Sequence, residues 1–225
     1  MSNFTTWRSL VDGNDITLEI PDSENLHGHY DFSKEDGTTP VIDQSGNGFD
    51  LGEGSYSGVN VDINGVQAGE FDGSNDGVWH GGSFTDLRPC TVYAVVEGDP
   101  DGQDGAIAAL SDDFHMLRAS GLWEFQSNDP VEGTSEAGDK LLTTIDEGDV
   151  AKFREEGDQK DEGSIGSERE VTKIGVGNQN VRSDFDGRYF DGKIGEILLY
   201  EVDHDDDTAD DVESYLANKW GITLS

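Results

Sequence analysis

No stretch of this chain stays apolar for long. About ten short runs, apolar or alternating, are each cut off by glycine, aspartate or asparagine. In the first half they are "ITLEI" (16–20), "HGHYDF" (27–32), "GVQAGEF" (65–71), "CTVYAVVE" (90–97) and "AIAAL" (106–110). "HMLRA" (115–119), "LWEFQS" (122–127), "KLLTTI" (140–145), "VTKIGVG" (171–177) and "GKIGEILLYE" (192–201) complete the set. Runs this short suit strands, and the 30 glycines supply turns between them. The pattern predicts an all-β sandwich or jelly roll. With 225 residues, one domain can bury a sizeable core. Regular spacing begins near Leu26, so residues 1–22 read as an arm, weakly helical near Phe4 to Val11, and 23–225 as the sandwich. The charged, aperiodic "FREEGDQKDEGSIGSERE" (153–170) reads as a long exposed loop.

One segment breaks the strand pattern. "EVDHDDDTADDVESYLANKWG" (201–221) places six aspartates between Asp203 and Asp211, ahead of an apolar-periodic run. A calcium loop needs Gly at its sixth position and Glu at its twelfth. Counted from Asp203, those positions hold Thr208 and Ser214. A helix fits instead. Thr208 to Asp211 has the form of a capping box, which makes Thr208 the expected N-cap. Val212, Tyr215, Leu216 and Trp220 recur at helical spacing, Lys219 falls in the last turn, and Gly221 ends it.

Charge decides which partners are possible. The chain has 49 acidic and 14 basic residues, a formal net charge of −35. Such an excess can signal disorder, but 33% hydrophobic residues with four Trp and ten Phe can build a core. The acids are spread along the whole length, which describes a folded domain with an acidic skin. Concentrated salt would screen that skin, so a halophilic source is expected. No basic stripe exists to neutralise phosphates, which excludes nucleic acid as a partner. The single cysteine, Cys90, opens a strand-like run and reads as a small buried thiol. No run is long enough to span a bilayer, so no membrane insertion is expected. The N-terminal stretch has neither the positive n-region nor the apolar h-region of a signal peptide, and synthesis in the cytoplasm without export is expected.

Several segments together resemble a known family. "HGHYDFS", "VIDQSGNGFDL", "GEFDGSNDGVW" and "CTVYAVVE", then "FDGKIGEILLYE" leading into "VESYLANKWGI", are similar in order and spacing to the laminin G-like, concanavalin A-type jelly rolls. The resemblance covers Leu26 to Ile222, and its terminal strand-and-helix pair is the most specific part. It implies a concanavalin A-like sandwich with a short C-terminal helix packed on its edge. The stretch 146–170 departs from the family's short hairpin by its length and charge.

Catalytic signatures are poor. Similar jelly rolls include glycoside hydrolases, which need paired carboxylates with one raised in pKa. The nearest string to a Glu-x-Asp-x-x-Glu strand is "EVDHDD" (201–206), which lacks the last Glu and lies at the helix entry. "GSYSG" (54–58) has Tyr where a nucleophile elbow needs Ser. His27 and His29 lie two apart, hence on one face of a strand, and read as structural. The resemblance implies calcium at the sandwich rim as an alternative to plain turns in "DQSGNG" (43–48) and "DGSNDG" (72–77). Its candidate ligands are Asp72, Asn75, Asp76 and Asp43, with Asp191 next. Trp79, His80, Tyr56 and Tyr189 stand beside Gly/Asp-rich turns and are the candidate sugar platforms, whereas Trp123 and Trp220 read as core. The expected function is a non-catalytic surface-recognition module, not an enzyme. The resemblance and the acidic composition together suggest a virion surface protein of a virus infecting a halophilic archaeon, in a capsid decoration, turret or tail. Its partners would be other virion proteins, further copies of itself and a host-surface glycan. The alternative is a polysaccharide-acting enzyme or its carbohydrate-binding accessory domain.

Overall fold

The computed structural model describes residues 7–11, 14–98, 105–110, 115–119, 121–126, 130–165, 170–178 and 188–225. Its longest strand, Asp191–Tyr200 (β17), is buried from Ile194 onward, as its apolar run requires. Cys90–Gly98 (β8) flanks β17 on one side. On the other side two strands share its length: Val66–Asp72 (β6) pairs with residues 191–194, and Leu26–Asp31 (β3) with 196–200. Gly58–Ile63 (β5) lies beyond β6, while Gly138–Asp146 (β13), Val150–Glu155 (β14) and Asp158–Ser164 (β15) continue beyond β8. The second sheet runs in the order Val131–Glu132 (β12), Leu122–Gln126 (β11), His115–Ala119 (β10), Gly105–Ala109 (β9), Gly175–Val176 (β16), Gly77–Trp79 (β7) and Glu53–Ser55 (β4). Every one of these pairings is antiparallel. The molecule is an all-β jelly-roll sandwich.

Two apolar layers hold it together. Between the sheets lie Tyr30, Phe32, Phe71, Val92, Val96, Ile107, Trp123, Phe125, Phe153, Ile194 and Ile197. A fully buried side chain of this size stabilises by about 1.5–3 kcal/mol. Outside the larger sheet, Leu26, Tyr93, Val95, Leu198 and Tyr200 meet Val212, Tyr215, Leu216 and Trp220 of helix Asp206–Trp220 (α1). Gly195 makes that docking possible, because a Cβ there would stand 2.8 Å from the Trp220 ring. Trp123, Trp220 and Cys90 are therefore core residues, as the sequence indicates.

Three expectations need correction. Helix α1 begins earlier than the capping-box pattern places it: Asp205 is the N-cap and its carboxylate accepts the Thr208 N–H at 2.9 Å. Aspartate caps as well as threonine does, so in an aspartate-rich entry the sequence pattern fixes the cap poorly. Second, much of 153–170 is a hairpin and not a loop, with residues 166–169 outside the described part. Phe153 and Glu155 are buried on β14, while β15 is a mostly exposed edge strand whose charges face water. Third, the weakly helical reading near Phe4 to Val11 fails from Trp7 on. Trp7–Val11 (β1) pairs with Asn14–Leu18 (β2) in a two-stranded sheet of its own, and Phe4 lies outside the described residues. The Asp–Gly dipeptide between these strands is a hairpin signal.

Candidate functional site

A single extra residue creates the site. Gly28 pairs with Leu199 and Leu26 with Tyr200, so His27 is left over as a bulge in β3. A bulge re-aims a side chain. His29 points toward helix α1, whereas His27 turns into a group of rings, stacked on Phe49 at 4.5 Å and edge-on to Phe84 at 4.8 Å. The expectation that both histidines share one face is thus overturned by one bulge.

Phe49 is carried there by a loop that Asp43 organises. One oxygen of Asp43 accepts the N–H groups of His29 and Ser45; the other accepts those of Gly48 and Phe49 and the Ser45 hydroxyl, all at 2.9–3.1 Å. Asn47 donates back to the Leu26 and His27 carbonyls. The opposite wall is the turn at 22–25, held by His204 Nε2 on Asp22 and by the Tyr200 hydroxyl on the Pro21 carbonyl. Between the walls lies a cleft of about 370 Å³, lined by Ser23, Glu24, Leu26, His27, Ser45, Asn47, Phe49 and Glu201.

The electrostatics of the cleft are one-sided. Glu24 and Glu201 are both exposed, and among the described residues no lysine or arginine lines it. Burial lowers the His27 pKa, against an opposing pull from Glu201, whose carboxylate lies 3.5 Å from Nδ1. Among the described residues His27 Nε2 is buried without a hydrogen-bond partner, which makes a proton there costly. The imidazole is therefore neutral at neutral pH. The arrangement offers a flat ring plate, amide and hydroxyl groups, and negative charge.

The residues singled out from sequence are scattered. His80 joins the cleft's rings: it stands edge-on to Phe49 at 5.4 Å, and its Nδ1 donates to the Asp50 carbonyl. Trp79 is half-buried and lies over Gly54, where a Cβ would meet its ring at 2.5 Å. Tyr56 is in the core, stacked on Phe71 and edge-on to Phe32, so it offers no ring face at the rim. Tyr189, bridged to Ala106 and Asn178, lies beside Asp191 at the far end of β17. Asp72, Asn75, Asp76 and Asp191 gather at that same end, where Asp72 pairs with Asp191 across the strands. Asp76 is buried and accepts from the Ser57 hydroxyl and the Asp72 N–H, while Asp72 accepts from Ser74 and Asn75. Asp43 binds His29, which pairs with Leu198, so it lies seven residues from Asp191 along β17, roughly 23 Å at strand rise. The candidate calcium ligands do not form one site.

A different cluster has metal-like spacing among the described residues. Ligand atoms of His29, Asp31 and Glu196 lie within 4.8 Å of one another, all buried. An internal cation already fills the place: Lys219 Nζ is 2.7 Å from Asp31 and 2.6 Å from Glu196. His29 and the Trp220 indole also donate to Glu196, each at 2.7 Å. Burial raises the Asp31 pKa, but Lys219 and Lys34 together outweigh it and bring it down to about 2. The sequence pattern reads Lys219 as a helix-end charge and misses this role, because the partners lie far off on β3 and β17.

No protein-family model matches the sequence, and no curated protein matches it. Solved structures share its fold. The chain is similar to a Trypanosoma rangeli sialidase mutant displaying trans-sialidase activity, with a TM-score of 0.62 at 10% identity over 92% of this chain. It spans only 35% of that sialidase. It is also similar to domain 4 of AbnA, a GH43 extracellular arabinanase from Geobacillus stearothermophilus, in a structure that holds arabinotriose. There the TM-score is 0.56 at 16% identity, covering 84% of this chain and 98% of the domain. The binding domain of Paraclostridial Mosquitocidal Protein 1 gives 0.60 at 15% identity, covering 87% of this chain and 53% of that one. At these identities the likeness is one of fold, a concanavalin A-like sandwich.

Proposed function

We propose that this chain is a non-catalytic module that recognises glycan, with the sugar seated in the cleft beside His27 and Phe49. The observation that carries the reading is the bulge-set ring plate beside a cleft of about 370 Å³ with amide, hydroxyl and carboxylate groups on its rim. An apolar ring face suits the apolar face of a pyranose, and the volume falls in the range of small-ligand sites. The fold lends support, being shared with a domain solved with arabinotriose. Hydrolysis would need one carboxyl desolvated into an acid, whereas both cleft carboxylates are exposed. The exposure of both carboxylates supports binding without turnover in this cleft.

The setting within this proposal is the surface of a virus particle infecting a halophilic archaeon, with hairpin β1–β2 as the tether to other particle proteins. The charge of −35 supports a home in concentrated salt. Asp43 already accepts five hydrogen bonds, so the candidate place for calcium is the exposed Asp72, Asn75 and Asp191 at the opposite end. A second reading, the accessory domain of a polysaccharide-acting enzyme, is favoured by the match to a separable enzyme domain over 98% of its length. Both readings require the same binding act. A glycan array in molar salt tests it: Phe49→Ala should weaken the retained sugar roughly ten-fold, about 1.4 kcal/mol, while Tyr189→Ala changes nothing. Retention of no glycan, or a Phe49→Ala protein that folds and binds as before, would overturn the reading.

A further inference from the structure

Resting on the glycan reading above, we propose that the sugar this cleft takes carries a free amine, and that Glu201 and Glu24 hold it. The lining decides the sign of charge. Among the described residues two carboxylates line the cleft and no lysine or arginine does, and the one ring nitrogen near Glu201 belongs to a neutral imidazole. Behind the lining stand Asp22 and Asp43, whose oxygens already serve the two walls. Among the described residues, a carboxylated sugar would meet nothing positive in the cleft.

An amine finds three complementary features at once. Glu201 is half exposed toward solvent at 52%, and its 3.5 Å separation from His27 Nδ1 is too long for a strong hydrogen bond. Its oxygens therefore keep capacity for a charged donor. The His27 and Phe49 rings line the same cleft, and aromatic rings attract ammonium groups. Asn47 and Ser45, though engaged in the loop's own hydrogen bonds, add polar atoms to the rim. Direct contact matters here, because molar salt reduces the Debye length to about 3 Å and leaves only short-range pairs intact.

The test compares a β-1,4-linked glucosamine dimer with its N,N′-diacetyl counterpart and with sialyllactose, against the full chain in molar salt just below neutral pH. The free-amine dimer should bind roughly five- to ten-fold more tightly than the acetylated one, and sialyllactose should not bind. Glu201→Gln with Glu24→Gln should erase that ratio without changing the melting temperature, since both residues are exposed. Dilysine, of matching charge, controls for general attraction to an acidic protein. Equal binding of both glucosamine dimers, preference for sialyllactose, equally tight dilysine binding, or a ratio that survives the double substitution would each overturn the amine assignment. If the array finds a glycan but the free-amine dimer does not bind, the amine assignment fails and glycan recognition stands. If no glycan binds at all, both fail.

Discussion

His27 shows how much one residue can change. The histidine pair is visible in the sequence, but the extra residue in β3 that separates them is not, since a bulge depends on what pairs across the strand. Its burial has a measurable consequence. His27 and His204 both have pKa values lowered by desolvation, against pulls from Glu201 and Asp22 respectively. The unfolded chain, titrating near 6.5, binds protons that the folded chain refuses, so these histidines cost stability as pH falls below 6.5. Glu156 and Glu213, raised by burial, act in the opposite sense below their folded values. Comparing His27→Gln with the parent cancels those carboxyls: the variant should lose less melting temperature between neutral and mildly acidic pH. Parallel profiles would count against a neutral, buried His27. Asp205 offers a second case. Its pKa is lowered by the Thr208 hydrogen bonds, so its contribution is present above 3.8 and lost as pH falls. Asp205→Ala should therefore lower the melting temperature more than Thr208→Ala, with a deficit that shrinks in acid.

At the scale of elements, the strands of the core were legible and the charged ones were not. β8, β13 and β17 announce themselves by apolar runs. β14 and β15 hide Phe153 among charges, and they turn through Glu156–Gly157 at φ 46° and 90°, a tight two-residue hairpin without the usual asparagine. Helix α1 was legible in its apolar face but not in its attachments. Arg154 of β14 reaches Asp206, Asp210 and Glu213, while Thr143 donates to Glu213, so one arginine gathers three of the helix's acids. At the other end, Lys219 locks the helix to β3 and β17. Lys219→Met should leave Glu196 buried without its lysine and Asp31 with Lys34 alone, and cost about 3–5 kcal/mol in denaturant unfolding. The same variant exposes the His29–Asp31–Glu196 triad to a metal, so zinc should recover part of the loss. A neutral Lys219→Met, stable without zinc, would show the lock to be ornamental.

The whole molecule carries its charge on the outside and its order of assembly on the inside. Self-repulsion among −35 net charges should make the melting temperature climb steeply from low to molar NaCl. A flat salt series would remove the case for a saline habitat. The sandwich's closure has a further consequence, in time. Among the described residues, strand β3 finds its sheet partner only in β17, which begins 165 residues after Leu26. At synthesis rates of roughly 5–20 residues per second, the ribosome holds β3 waiting for about 10–30 s. Strand β6 waits as well for its β17 side, and β8 offers the growing chain an open apolar edge throughout. During that interval a chaperone, or the acidic skin itself repelling neighbouring nascent chains, has to keep these edges apart. The charge that burdens the finished protein would then protect it while it is being made.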